Sequence, residues 1–224
     1  MPDASGGMLD GMIDWAALTD EIAAFVLSAC CAGCDAPGTL LCGDCRRALS
    51  AEPVLSTSPN GMPITAAFLF EGVGARCIRR VKEDGETLLA HPLGAALADA
   101  AASSISDHPD ALLVPVPTGR AAFRRRGYRV PELLMRRAGL APTRLLRAVR
   151  RTEDQRDLDV DERRRNVARS MRARHARGDE EVLIFDDVVT TGSTLDEGAR
   201  ALRAAGFRVC GAVALAATPR HRKL

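Results

Sequence analysis

Aromatic side chains are scarce: one Trp, one Tyr and six Phe, 4% of 224 residues. Trp15 and Tyr128 stand alone, so the chain has no ladder of rings on which successive bases would stack. Lysine is nearly missing; all but Lys82 and Lys223 of the 31 basic residues are arginine. A bias that broad is compositional, and it lowers the weight of any single arginine. Net charge is only +2, which by itself points to neither a polyanion nor a membrane surface. The longest charge-free apolar run near the start, Ile22–Cys34, has 13 residues, too few to cross a bilayer. Asp14, Asp20 and Glu21 precede it, where a signal peptide carries basic residues. The expectation is a cytoplasmic chain with no membrane insertion, in a reducing compartment where seven cysteines need a purpose other than disulfides.

Four cysteines supply that purpose. Cys31 and Cys34 form one CxxC and Cys42 and Cys45 a second, within CCAGCDAPGTLLCGDC. Two such turns facing each other make a closed tetrahedral four-cysteine site, the geometry of structural Zn2+. A closed site supplies folding energy and no catalysis. The rival reading is two redox pairs. Cys30 breaks the spacing and is a spectator or a substitute for Cys31. Cys77 and Cys210 sit among apolar residues and read as buried thiols. His91, His108, His175 and His221 share no ligand spacing with one another or with the cysteines. The small net charge hides a gradient, since residues 120–177 hold 19 Arg against 7 acidic residues.

The pattern divides the chain into four parts. Residues 1–12 read as a disordered N-terminus and 13–50 as an amphipathic helix plus the four-cysteine zinc ribbon. Residues 51–63, rich in Pro and Ser, read as a linker. Residues 64–224 alternate strand and helix. Strands are predicted at 64–70, 111–116, 144–150, 181–187 and 207–216. Helices are predicted at 73–83, 86–105, 131–139 and 194–205, and 155–178 reads as charged and only partly ordered. Such alternation predicts an α/β fold with a mainly parallel sheet flanked by helices.

The strongest chemical signal is VLIFDDVVTTGST, Val182–Thr194. Four consecutive apolar residues predict a strand buried on both faces. Asp186 and Asp187 follow at its carboxyl end, the edge where ligands bind in open α/β sheets. Thr190, Thr191, Gly192, Ser193 and Thr194 then form a small, hydroxyl-rich turn opening a helix. Thr194 and Glu197 have capping-box spacing, and Gly206 closes the helix. Amides at a helix N-terminus suit a phosphate. Two acids beside a phosphate turn suit a ligand that also carries a diol, such as a ribose 5-phosphate.

These residues resemble the 5-phosphoribosyl-1-pyrophosphate (PRPP) signature of type I phosphoribosyltransferases. With the doubled CxxC, the chain is similar to the ComF family (competence protein F and gluconate-utilisation relatives). Lys82, Gly85 and Glu86 match its Lys-x-x-Gly-Asp/Glu element, and VPVPTGRAAFRRRGY, 114–128, its Val-Pro-Val-Pro stretch. Arg151, Thr152, Gln155, Leu158, Arg163 and Asn166 match its Arg-x-Thr…Asn run. The chain departs from the family at Arg129-Val130-Pro131, where Asn-Gln-Ala is usual, and at Arg169-Ser170-Met171, where Gly-Ala-Phe is common.

The resemblance implies a type I phosphoribosyltransferase fold with a zinc ribbon, and transfer of phosphoribosyl from PRPP to a nitrogenous base with Mg2+. Asp186 and Asp187 would be catalytic. Thr190–Thr194, Thr118, Gly119, Arg120, Lys82 and Arg151 would bind PRPP, with 151–166 as a lid. DNA-uptake (competence) machinery is an expected partner. Two alternatives stand beside this reading: a catalytically silent PRPP-binding protein, and a nucleic-acid module that uses the ribbon and the arginine-rich band, binding weakly.

Overall fold

The structure is a computed structural model that describes residues 29–49, 53–149, 167–176 and 178–219. The helix expected at 13–29 lies outside these residues except for Ala29. So do the 1–12 stretch, Arg151, Gln155, Arg163 and Asn166.

The sheet is built from β1 (Val54–Thr57), β2 (Pro63–Leu69), β3 (Leu112–Pro115), β6 (Glu181–Val189) and β7 (Arg208–Ala217), in spatial order β1-β2-β7-β6-β3. Only β1 runs antiparallel. A separate antiparallel ribbon pairs β4 (Leu146–Ala148) with β5 (Met171–Ala173). The helices are α1 (Gly43–Ala48), α2 (Gly72–Arg79), α3 (Ala90–Asp107), α4 (Arg120–Arg126), α5 (Val130–Arg137) and α6 (Ser193–Arg203).

Alternation along the central strands explains the layers. Leu183 and Phe185 of β6, with Val213 and Leu215 of β7, face α2, α3 and α5. Val182 and Ile184, with Ala212 and Ala214, face α6 and the ribbon. Burying one such large side chain contributes about 1.5–3 kcal/mol, so two apolar faces commit β6 to an interior position in the sheet, between β7 and β3. The helical stretch Thr87–Asp107 has the length and apolarity of a membrane span. Here it packs Leu93, Leu97, Ala100 and Ala101 into the core against the sheet.

Four local expectations change. The stretch 51–63 contains β1, an edge strand that pairs Leu55 with Thr65 and Ser56 with Ile64. Polar residues and flanking prolines, read as linker composition, are what a sheet edge tolerates. Helix α4 was not expected, because its AFRRR stretch buries no residue and shows no apolar period. Strand β5 lies within the charged 155–178 stretch and is held by its ladder to β4, with Met171 buried. Strand β6 continues past Asp187 to Val189, since Val188 and Val189 extend the ladder to Ala216 and Ala217.

Candidate active site

Asp186 and Asp187 therefore lie within the last stretch of β6, at the edge where its carboxyl end meets α6. Asp186 is 9% exposed. Its Oδ1 accepts the Asp187 N–H at 2.8 Å, and Asp187 Oδ1 accepts the Val188 N–H at 2.8 Å. The Lys82 ammonium sits 2.9 Å from Asp187 Oδ2. This splits the two carboxyls. Burial and the neighbouring Asp187 charge push Asp186 well above the usual carboxylate range. Burial also opposes ionisation of Asp187, but Lys82 outweighs it and holds the group low. The pair thus offers a charged acceptor and a carboxyl biased toward its neutral form.

Beyond Val189 the chain turns through Thr190, Thr191 and Gly192 into α6. Gly192 caps the helix at φ +82°, a left-handed conformation that glycine adopts without a Cβ penalty. A Cβ there would also lie 3.2 Å from Pro59 Cδ and 3.3 Å from Ser58 Cα. Thr191 Oγ1 and Ser193 Oγ are 2.9 Å apart, and the Ser193 N–H donates to Thr191 Oγ1 at 3.3 Å. Thr190 is exposed and Thr194 half-buried at the start of α6. The capping box does not form. Glu197 turns away from the helix start to accept the Met171 N–H at 3.0 Å and pair with Arg200 at 2.7 Å. The helix is capped two residues earlier than the spacing suggests, at Gly192, and a buried glutamate gains more from a guanidinium than from a neutral amide.

Thr118, Gly119 and Arg120 follow β3. Because β3 is the parallel neighbour of β6, their loop opens at the same sheet edge as the acid pair. Gly119 and Arg120 are exposed and Thr118 half-buried. Lys82 arrives from a third element, a π-helical turn, Arg80–Asp84, that extends α2 and ends on left-handed Gly85.

Two loops at adjacent strand ends, an acid pair and a glycine-capped helix N-terminus are brought together at one edge of an open α/β sheet, an arrangement whose chemistry suits an anion and a diol. The phosphoribosyl transferase domain model matches residues 84–224. The chain belongs to the phosphoribosyltransferase family. No curated protein sequence matches it. The solved structure of Leishmania donovani UMP synthase aligns at 15% identity with a TM-score of 0.34, over 63% of this chain and 24% of that one. The chain thus spans about a quarter of that protein's length.

The chain carries a four-cysteine cluster before the matched domain. The sulfurs of Cys31, Cys34, Cys42 and Cys45 all lie within 4.8 Å of one another. Cys34 and Cys42 are 3.7 Å apart, far beyond a disulfide and close to the edge, about 3.8 Å, of a tetrahedron with metal–sulfur bonds of about 2.3 Å. The set therefore fits Zn2+, with Cys31 as the fourth ligand and not Cys30. Burial opposes ionisation of Cys31, but the N–H groups of Cys42, Cys34 and Gly33 outweigh it and bring the thiol down to about 6. Burial and the neighbouring thiols push Cys45 up. The knuckle is tight: a Cβ on Gly33 would lie 2.5 Å from Cys45 Sγ.

Cys77 is buried as expected, whereas Cys210 is half-buried. It lies within 4.8 Å of His108 and Glu181, whose carboxylate already pairs with His108 and Arg208. The residues that depart from the ComF pattern have structural uses. Arg129 stacks on Phe123 at 4.3 Å, Val130 and Pro131 open α5, and Ser170 and Met171 are buried beside α6. Sequence reasoning missed the groove of about 520 Å³ beside Thr190, walled by Leu55, Leu69, Val189 and Ala217 with Thr218. Half of that wall comes from β1 and β2, which touch the PRPP signature only through the fold.

Proposed function

We propose that this chain is a ComF-type phosphoribosyltransferase that transfers phosphoribosyl between PRPP and a nitrogenous base in the cytoplasm. The observation that carries the reading is the conjunction at one sheet edge: Asp186 and Asp187 on β6, Lys82 on Asp187, and Gly192 opening α6. The amides and hydroxyls of Thr190–Thr194 hold the 5-phosphate. Asp186 and Asp187 take the ribose hydroxyls, one as donor and one as acceptor. Thr118, Gly119 and Arg120 receive the pyrophosphate, joined by Lys82 and by Arg151 from the lid.

Displacement at the anomeric carbon breaks the bond to pyrophosphate as a base nitrogen attacks. The protein positions the partners and screens charge as the ribose gains oxocarbenium character. Oxygen donors such as the two carboxylates fit Mg2+, which when bound neutralises charge on the leaving group. The groove beside Thr190 suits a flat, mainly apolar acceptor. The four-cysteine knuckle holds Zn2+ as a structural ion, and this supports the ComF assignment. Seven cysteines without a disulfide partner support a reducing compartment.

A PRPP titration with a panel of bases, read by calorimetry and by pyrophosphate release, tests the reading. The Asp186→Asn/Asp187→Asn double variant loses about tenfold or more in PRPP affinity, as the charge-assisted hydrogen bond of Asp187 and the proton-donating carboxyl of Asp186 are removed. Unchanged binding in that variant overturns the assignment. Binding without release for any base selects the silent PRPP-binding protein.

A second reading rests on Arg147 and Arg172, paired directly across the β4–β5 ribbon. Like charges opposite each other are destabilising unless an anion covers them. Tight nucleic-acid binding at physiological salt, indifferent to PRPP, selects the nucleic-acid module.

A further inference from the structure

The four-cysteine knuckle and the acid pair lie on different elements, yet an unbroken chain of polar contacts joins them. Asp35, the residue after Cys34, stands at φ +63° in the knuckle. Its carboxylate pairs with Arg76 of α2 and, at 3.0 Å, with Arg80, the first residue of the π turn. Arg76 also donates to Gly33 O at 2.8 Å, so α2 is tied to the knuckle backbone as well. The other side of the Arg80 guanidinium reaches Glu86 at 3.1 Å, just past the turn. Two residues beyond Arg80, Lys82 meets Asp187 at 2.9 Å.

A π turn is rare, occurs mostly as a single-turn insertion in an α-helix, and is frequent at functional sites. Here Tyr128 donates to Val81 O, and Arg126 donates to Lys82 O at 2.7 Å. Those bonds fix the turn from the C-terminal end of α4. Arg80, gripped at both ends, fixes it from the knuckle side. Glu86 adds a constraint, since its Oε2 is buried without a hydrogen-bond partner. Among the described residues its charge is paired by Arg80 alone, and moving Arg80 would leave that pairing broken at a half-buried carboxylate.

We propose that the knuckle is a positioning device for the phosphoribosyl site: Asp35 and Glu86 clamp Arg80, and the clamped turn delivers the Lys82 ammonium to Asp187. Asp35, Arg80 and Glu86 are positioning residues that act through Lys82. The consequence for PRPP affinity rests on the functional reading above; the delivery of Lys82 does not.

The test uses the full chain, with Asp35→Asn and Arg80→Ala, each alone and combined with Lys82→Ala. Asn tolerates the left-handed backbone of Asp35 and removes only the charge, so that variant folds even if Arg80→Ala does not. The first readout needs no ligand. The chain has only two lysines, Lys82 and Lys223, so amine acylation followed by mass spectrometry reports Lys82 with Lys223 as internal reference. Lys82 held on Asp187 reacts slowly. Asp35→Asn raises the Lys82-to-Lys223 ratio by about threefold, the size expected of a part-exposed ion pair, and Arg80→Ala raises it further. The second readout is PRPP affinity by calorimetry, with zinc content as the control for an intact knuckle. Both variants weaken PRPP binding, and neither weakens it further once Lys82 is alanine.

An unchanged acylation ratio in Asp35→Asn overturns the proposal. So does a PRPP defect that persists at full size in the Lys82→Ala background, because the two residues would then act by another route. A raised ratio in a protein that does not bind PRPP leaves the clamp standing and overturns the functional reading instead.

Discussion

Gly192 is the position where a single missing Cβ matters most. Its φ of +82° and its contacts with Ser58 and Pro59 both exclude a branched side chain. Gly192→Val is expected to cost about 1–3 kcal/mol of folding by strain alone. Loss of function must therefore be read within each variant, as the PRPP-induced rise in melting temperature. That rise follows RT ln(1 + [L]/Kd) and is expected to vanish in Gly192→Val. It is expected to persist in Thr191→Ser, which keeps the hydroxyl that meets Ser193 at 2.9 Å. A wild-type rise in Gly192→Val would move the 5-phosphate off this turn. The turn formed by the glycine and its hydroxyl neighbours was legible from residue order, because a small, polar, glycine-containing stretch after an apolar run reads locally as a strand-to-helix turn. Ser58 and Pro59 were not, since 133 residues separate Pro59 from Gly192 and only the β1–β2 hairpin brings them together.

Elements were read best where one physical signal dominated. The apolar run of β6 and the amphipathic spacing of α6 reported themselves. Elements held by partners alone did not: β5 by its ladder to β4, α4 by its cap on Gly127, β1 by pairing with β2. Glu197 marks the same divide. Its spacing from Thr194 suggested a cap, but the β4–β5 ribbon placed the Met171 N–H within its reach, and Arg200 stands three residues on along α6. Burial opposes its ionisation, and Arg200 with the Met171 and Arg169 amides outweighs it, holding the carboxyl below its usual range. The folded value thus lies below the unfolded one, near 4.3. Its stabilisation is complete above that value and is lost as pH falls through the folded value. Glu197→Gln is expected to lower stability by about 1–3 kcal/mol at neutral pH. It is also expected to flatten the loss of stability below about pH 4, checked by urea unfolding across pH. An acid limb as steep as the wild type's would mean that Glu197 does not anchor α6 to the ribbon.

At the scale of the molecule, the knuckle and the phosphoribosyltransferase domain share one core cluster, in which Cys31, Leu41 and Cys45 pack with Phe68, Cys77 and Ile78. Purified protein is expected to carry about one Zn2+, the capacity of one four-cysteine site. Cys34→Ser is expected to lose the ion and lower the melting temperature of the whole chain, because the knuckle packs into the same core as α2 and α3. Metal analysis beside calorimetric melting checks both, and a zinc-free wild type that melts normally would remove the metal. The doubled CxxC, the acid pair, the glycine and hydroxyl turn that opens α6 and the parallel α/β class were all readable in order along the chain. Each depends on spacing within about 16 residues or on periodicity, and local chemistry sets both. Strand order, the delivery of Lys82 to Asp187, the groove beside Thr190 and the clamp on Arg80 belong to the tertiary structure. They join residues tens to more than a hundred positions apart, and such contacts depend on how the layers pack, which no local pattern encodes.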